Sequence, residues 1–216
     1  MNNIELCHYI DHTNLKSNAT ESDIMRLCEE AAQAQFAAVC INPVWVPFAH
    51  VALKETSVSL CSVVGFPLGA SPTSIKLAEA DFCLNNGANE IDMVINIGEA
   101  KAGNWVYVES EIRALAKLCH DNDALLKVIF ENCYLEKSEI SKACVVSMDS
   151  GADYVKTSTG FGTGGASVAD VRLMSDTVKG VCRVKAAGGI KDKETALKMI
   201  DAGADRIGTS SGLAII

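Results

Sequence analysis

Short apolar runs alternate along this chain with longer stretches in which apolar residues return every third or fourth position. The short runs predict strands and the longer stretches predict helices with one buried face. Eight strands are expected, at Cys7–His12, Ala38–Asn42, Leu60–Gly65, Glu90–Asn96, Leu125–Glu131, Tyr154–Thr157, Arg183–Ala187 and Arg206–Gly208. Their nearly continuous apolar character suits parallel strands covered on both faces. The helical patterns span Glu21–Gln35, Val44–Glu55, Ser74–Asn86, Trp105–Asp121, Lys137–Ser150, Val168–Lys179 and Lys193–Ala202. Thr20 with Asp23, and Ser167 with Asp170, have the spacing of helix N-caps.

Three segments repeat one pattern: "NNGANEIDMV" from Asn85, "DSGADYVKTS" from Asp149 and "DAGADRIGTS" from Asp201. In each, a helix ends at a glycine that supplies left-handed backbone, and a strand follows within a few residues. "AQAQFAAVCIN" is a degenerate fourth copy, with Phe36 in the place of an alanine. Recurring helix-to-strand junctions mark a repeated βα unit. That unit builds either a closed barrel or an open doubly wound sheet. No G-x-G-x-x-G follows the first strand, where a dinucleotide-binding sheet needs it. Eight strands favour closure, so residues 1–216 are expected to form a single-domain α/β fold, a (β/α)8 TIM barrel. Its chemistry then belongs at the C-terminal ends of the strands.

Composition narrows the function classes. Of 216 residues, 49% are hydrophobic, enough for a large core, and the net charge of −8 argues against nucleic acid as the main partner. No apolar run reaches the roughly 18–20 residues that a spanning helix requires. The opening segment lacks a basic stretch followed by an apolar one, so a cytoplasmic protein with no membrane partner is expected. The nine cysteines are irregularly spaced, with no C-x-x-C, and read as reduced, buried small hydrophobes. The four histidines form no ligand pair at helical spacing, which leaves a catalytic metal without support.

The stretch "DYVKTSTGFGTGG" places Lys156 where a buried strand should carry an apolar side chain. A single strand lysine more often snorkels than reacts. Here, however, Lys185 falls on the next strand and Asp92 on an earlier one. If all three face the barrel axis, repulsion between the amines and desolvation favour the neutral form of one of them. A neutral amine attacks carbonyls and forms a Schiff base. The Gly-rich "AAGGIKD" and "GTSSG" segments at the last two strand ends expose backbone N–H groups suited to a phosphate, although tight loop packing also uses such glycines. The residues alone thus suggest a Schiff-base enzyme acting on a small phosphorylated carbonyl compound.

Taken together, "IDHTNL", "AAVCINP", "VVGFPLG", "NEIDMVINIG", "LLKVIFE", "VKTSTGF", "RVKAAGGI" and "RIGTSSG" resemble the deoxyribose-phosphate aldolase family along nearly the whole chain. The resemblance implies reversible cleavage of 2-deoxy-D-ribose 5-phosphate to D-glyceraldehyde 3-phosphate and acetaldehyde, with no metal and no cofactor. It implies Lys156 as the Schiff-base lysine, with Lys185 and Asp92 as its catalytic partners. Asp11, Thr13, Cys40, Lys127 and Thr159 are implied around the substrate, and Gly160, Gly188, Gly189, Ser210 and Ser211 around its phosphate. A homodimer or higher homo-oligomer is also implied. Phe161 departs from relatives that carry a lysine there. The chain ends at "SGLAII", whereas some relatives extend into a tail whose tyrosine assists proton transfer, so enamine protonation here is expected to depend on water or to be slower. The competing expectations are a phosphate-binding barrel isomerase or synthase without a covalent intermediate, and a non-catalytic sugar-phosphate sensor.

Overall fold

The computed structural model describes residues 3–216, with side chains from Glu5 onward. Eight strands close into a parallel barrel in sequence order: β1 Ile10–Asn14, β2 Ala38–Ile41, β3 Ser59–Val64, β4 Glu90–Val94, β5 Leu125–Ile129, β6 Tyr154–Lys156, β7 Arg183–Ala187 and β8 Arg206–Thr209. The β1–β8 pairing, with Asp11 opposite Gly208, completes the ring. The helices are α1 Asn3–Cys7, α2 Glu21–Ala34, α3 Val46–Leu53, α4 Thr73–Asn85, α5 Ile97–Lys101, α6 Trp105–Asp121, α7 Lys137–Asp149, α8 Val168–Val178, α9 Lys193–Asp201 and α10 Gly212–Ile215. Among the described residues no helix is long and apolar enough to cross a membrane.

The repeated junctions have a clear physical basis. Gly87, Gly151 and Gly203 all take positive φ and turn the chain out of α4, α7 and α9. Two residues later Asn89, Asp153 and Asp205 accept the backbone N–H of Leu60, Leu126 and Val184, at 2.9, 2.8 and 2.8 Å. Each junction therefore pins the start of the preceding strand, satisfying a donor at the barrel's N-terminal rim. In the degenerate copy Gln35 takes the left-handed conformation instead. Thr20 and Ser167 cap α2 and α8 as their spacing implies.

The expected first strand is corrected at its start. Cys7 ends α1, and the Tyr9 N–H donates to the Leu6 carbonyl at 3.0 Å, so the chain is still turning before the ladder begins at Ile10. The fourth and fifth strands stop short of Asn96 and Glu131. Asn96 caps α5, and Glu131 has a φ of 57°, outside the extended region. The helices α1, α5 and α10 were not expected, because each is too short to show a period.

Outside the barrel, Lys76 of α4 and Glu111 of α6 form a fully buried ion pair at 2.7 Å. Lys76 also donates to the Val94 carbonyl at 2.7 Å, and Glu111 accepts the Asn96 N–H at 3.0 Å, fixing the end of β4. Lys76→Met leaves a buried carboxylate without its partner and is expected to cost about 3–5 kcal/mol. Urea denaturation checks this, and adding Glu111→Gln should restore part of the loss.

Candidate active site

Strand register brings ionisable side chains together inside the barrel. Asp92 of β4 lies opposite Lys127 of β5, and Lys156 of β6 lies opposite Lys185 of β7. All three lysines converge on Asp92. Lys127 Nζ is 2.8 Å from its Oδ1, whereas Lys156 and Lys185 meet on Oδ2, at 2.6 and 2.7 Å. Burial pushes the Asp92 carboxyl up, but the three ammonium groups together outweigh it and hold the group well below the carboxylate range. Asp92 is therefore ionised at neutral pH.

A second layer lies beneath. Lys185 also pairs with Asp11 at 2.5 Å, and Lys127 with Glu90 at 2.6 Å. Arg206 meets Asp11 at 2.6 Å and Glu90 at 3.4 Å, and its Nη2 donates to the Tyr154 hydroxyl at 3.3 Å. Burial alone would pull both lysines down. For Lys185, Asp11 and Asp92 reverse it; for Lys127, Asp92, Cys61, Glu90 and Asp11 do. Both pKa values rise, so both lysines stay cationic. Gly208 makes room for this arrangement, since a Cβ there would lie 3.1 Å from Lys185 Cε.

Lys156 differs from its neighbours in where it opens. It borders a cavity of about 510 Å³ at the C-terminal ends of the strands, while Lys127 and Lys185 are sealed beneath it. Thr13, Thr159, Gly160, Gly188, Gly189 and Ser210 line the same cavity. Gly188 and Gly189 have φ of 89° and 81°. Gly188 lies so close to Gly165 that a Cβ would come within 3.0 Å of the Gly165 Cα. Among the described residues the N–H groups of Gly188 and Gly189 donate to no protein acceptor.

Besides Asp92 and Lys185, four sequence-expected residues stand back from the cavity wall. Asp11, Cys40 and Lys127 are fully buried and do not border it. Ser211, half-buried, does not border the cavity; its N–H donates to Thr209 Oγ1 at 2.9 Å.

The cavity also has residues that the sequence did not single out. Lys16, Arg26 and Lys191 add cationic groups to its wall, and His12 Nε2 pairs there with Glu30 at 2.7 Å. Lys191 lies two residues past Gly189, a local signal of a phosphate loop. Glu30 projects from α2 and carries no such signal. Glu131 holds Thr159, accepting its hydroxyl and, at 3.2 Å, its N–H. Phe161 packs edge-on against Phe66 at 5.3 Å and, with Leu15, Leu27 and Ile190, adds apolar surface to the cavity wall.

An amine that faces a sugar-sized cavity while its carboxylate and companion amines stay dry suits carbon–carbon bond chemistry on a carbonyl compound, and the class is a (β/α)8 barrel aldolase. The match to known proteins is specific: residues 6–216 fit the model of the DeoC/LacD family aldolases, and the chain belongs to that family. A protein of Thermococcus gammatolerans named deoxyribose-phosphate aldolase is 54% identical, the alignment covering 99% of this chain and 96% of that one. One of the same name from Carboxydothermus hydrogenoformans is 50% identical over 98% of this chain and 94% of its own. The tetrameric deoxyribose phosphate aldolase of Aeropyrum pernix superposes with a TM-score of 0.94 at 35% identity, covering 99% of this chain and 90% of that structure.

Proposed function

We propose that this aldolase reversibly cleaves 2-deoxy-D-ribose 5-phosphate to D-glyceraldehyde 3-phosphate and acetaldehyde through a Schiff base on Lys156. The observation that carries this reading is that Lys156, alone of the three lysines on Asp92, borders the cavity. Its amine attacks the C1 aldehyde, and loss of water gives an iminium. The C2–C3 bonding pair flows into that iminium as the C3 hydroxyl gives up its proton, and glyceraldehyde 3-phosphate leaves. The remaining enamine takes a proton at carbon, and hydrolysis frees acetaldehyde and the amine.

Asp92 and Lys185 serve this sequence from below. Lys185 stays cationic and shares Asp92 Oδ2 with the reacting nitrogen, so a charge change on Lys156 is met by fixed groups in a dry site. The depressed pKa of Asp92 makes it an electrostatic and orienting group, and leaves the acid–base exchange at carbon to water in the cavity. Asp11 and Lys127 hold the charges of Lys185 and Asp92, and Cys40 packs behind the cavity.

The substrate phosphate is assigned to the N–H groups of Gly188 and Gly189, with Gly160 and Ser210 beside them and Ser211 buttressing the loop. Thr13 and Thr159 face the sugar. Binding energy from the phosphate fixes the C2–C3 bond over Lys156. Turnover of 2-deoxyribose 5-phosphate, followed by acetaldehyde release, tests the assignment. Unphosphorylated 2-deoxyribose is expected to lose at least about 100-fold in kcat/KM, because remote binding energy is lost with the phosphate.

A homo-oligomer is part of the same proposal, supported by exposed Val44, Val51, Leu68, Ile75 and Phe82 on the β2–β4 side of the barrel and by the tetramer reported for the Aeropyrum pernix relative. A cytoplasmic location is supported by nine free cysteines, eight of them buried.

A further inference from the structure

Cys40 and Cys61 are direct register partners across the parallel strands β2 and β3, and both are fully buried. Their sulfur atoms and a carboxylate oxygen of Asp92 all lie within 4.8 Å of one another. With Leu15, Val63 and Phe66 they form a small apolar cluster apart from the main core. Leu15 also borders the cavity, so the thiol pair sits one side chain behind it.

The surroundings choose what such a pair can bind. Asp92 is not available as a third ligand: Lys127 occupies Oδ1, and Lys156 and Lys185 occupy Oδ2. Two sulfurs without a third donor do not satisfy zinc, which takes four ligands, or a hard cation, which takes oxygens. They suit a soft closed-shell ion content with two thiolates, the preference of copper(I). Charge points the same way. Basic groups outnumber acidic ones in the barrel interior, where Lys127, Lys156, Lys185 and Arg206 face only Asp11, Glu90 and Asp92. Binding a monovalent ion with loss of two thiol protons adds one negative charge there, whereas a divalent ion adds none.

We propose that Cys40 and Cys61 form a two-coordinate copper(I) site directly beneath the catalytic floor. Two S–H bonds are replaced by two Cu–S bonds, two protons pass to solvent, and copper arrives and stays in the +1 state, delivered by exchange from a small thiol complex. The Cys61 thiol then no longer donates to Asp92 Oδ1, a bond of 3.1 Å in the metal-free arrangement. The new anionic centre competes with Asp92 for Lys127, whose Nζ is 3.2 Å from Cys61 Sγ. Occupation of the site thus inhibits the enzyme.

The test is anaerobic titration of the full chain with copper(I) against bathocuproine disulfonate. The wild type is expected to retain one copper per chain. Cys40→Ser and Cys61→Ser, checked for folding by circular dichroism, should each bind at least about tenfold more weakly, as expected for loss of a ligand. Cys133→Ser, which removes the exposed thiol, should bind like the wild type. X-ray absorption on the copper-loaded wild type needs no variant to fold, and should show two sulfur neighbours and no nitrogen or oxygen ligand. Equal retention by the Cys40 and Cys61 variants, loss of copper from the wild type to the chelator, or a third ligand would overturn the proposal.

Discussion

Replacing Lys156 with alanine is expected to lower kcat/KM for 2-deoxyribose 5-phosphate by about 10⁴-fold or more, the scale on which a covalent nucleophile is lost. The reason lies in access. Lys127 and Lys185 keep their contacts with Asp92 in the variant, but neither reaches the cavity, so neither can take over the covalent step. The fold should survive. Lys156 is one of three lysines on Asp92, and its removal leaves that carboxylate paired twice, so the stability change should stay within about 3 kcal/mol. Steady-state rates and a melting curve on the same preparation separate loss of chemistry from loss of structure.

Asp92→Asn should damage both. The amide cannot balance Lys127, Lys156 and Lys185, and uncompensated buried charge costs about 3–5 kcal/mol. For a chain of this size that lowers Tm by about 10 °C. Activity should fall by about 10²–10⁴-fold, because the groups around the reacting nitrogen are no longer fixed.

The pH dependence carries a definite sign. The folded pKa of Asp92 lies below its ordinary value of 3.8, so its contribution to stability is complete above that value and is lost as the pH falls through the folded pKa. Lys127 and Lys185 are raised above 10.5, so their contributions are complete below that value and are lost only as the pH rises through their folded pKa values. Urea midpoints of the wild type should fall on the acid side of about pH 4, and those of the Asp92→Asn variant should fall less steeply. Parallel slopes for the two proteins would show that Asp92 does not hold the interior charges.

Much of this architecture is legible in the sequence, because the barrel is assembled from local signals. The G-A-N and G-A-D junctions announce themselves, since one glycine conformation and one side-chain acceptor at each determine where a strand starts. The lysines at Lys156 and Lys185 stand out because a cation is out of place on a buried strand. Depth is what the linear pattern does not reveal. Asp11, Lys127 and Cys40 sit on barrel strands as Lys156 does, yet they are fully buried and do not border the cavity. The Glu30–His12 pair and the Glu131 clamp on Thr159 arise from contacts between distant segments, so no local spacing marks them. The edge-on contact of Phe161 with Phe66 is of the same kind.

The most direct test of the Lys156 assignment is intact-mass and peptide mapping after incubation with acetaldehyde and borohydride. The account predicts a single ethyl adduct on Lys156 of the wild type, absent from Lys156→Ala. No adduct on folded wild type, or an adduct on Lys185 in place of Lys156, would contradict it.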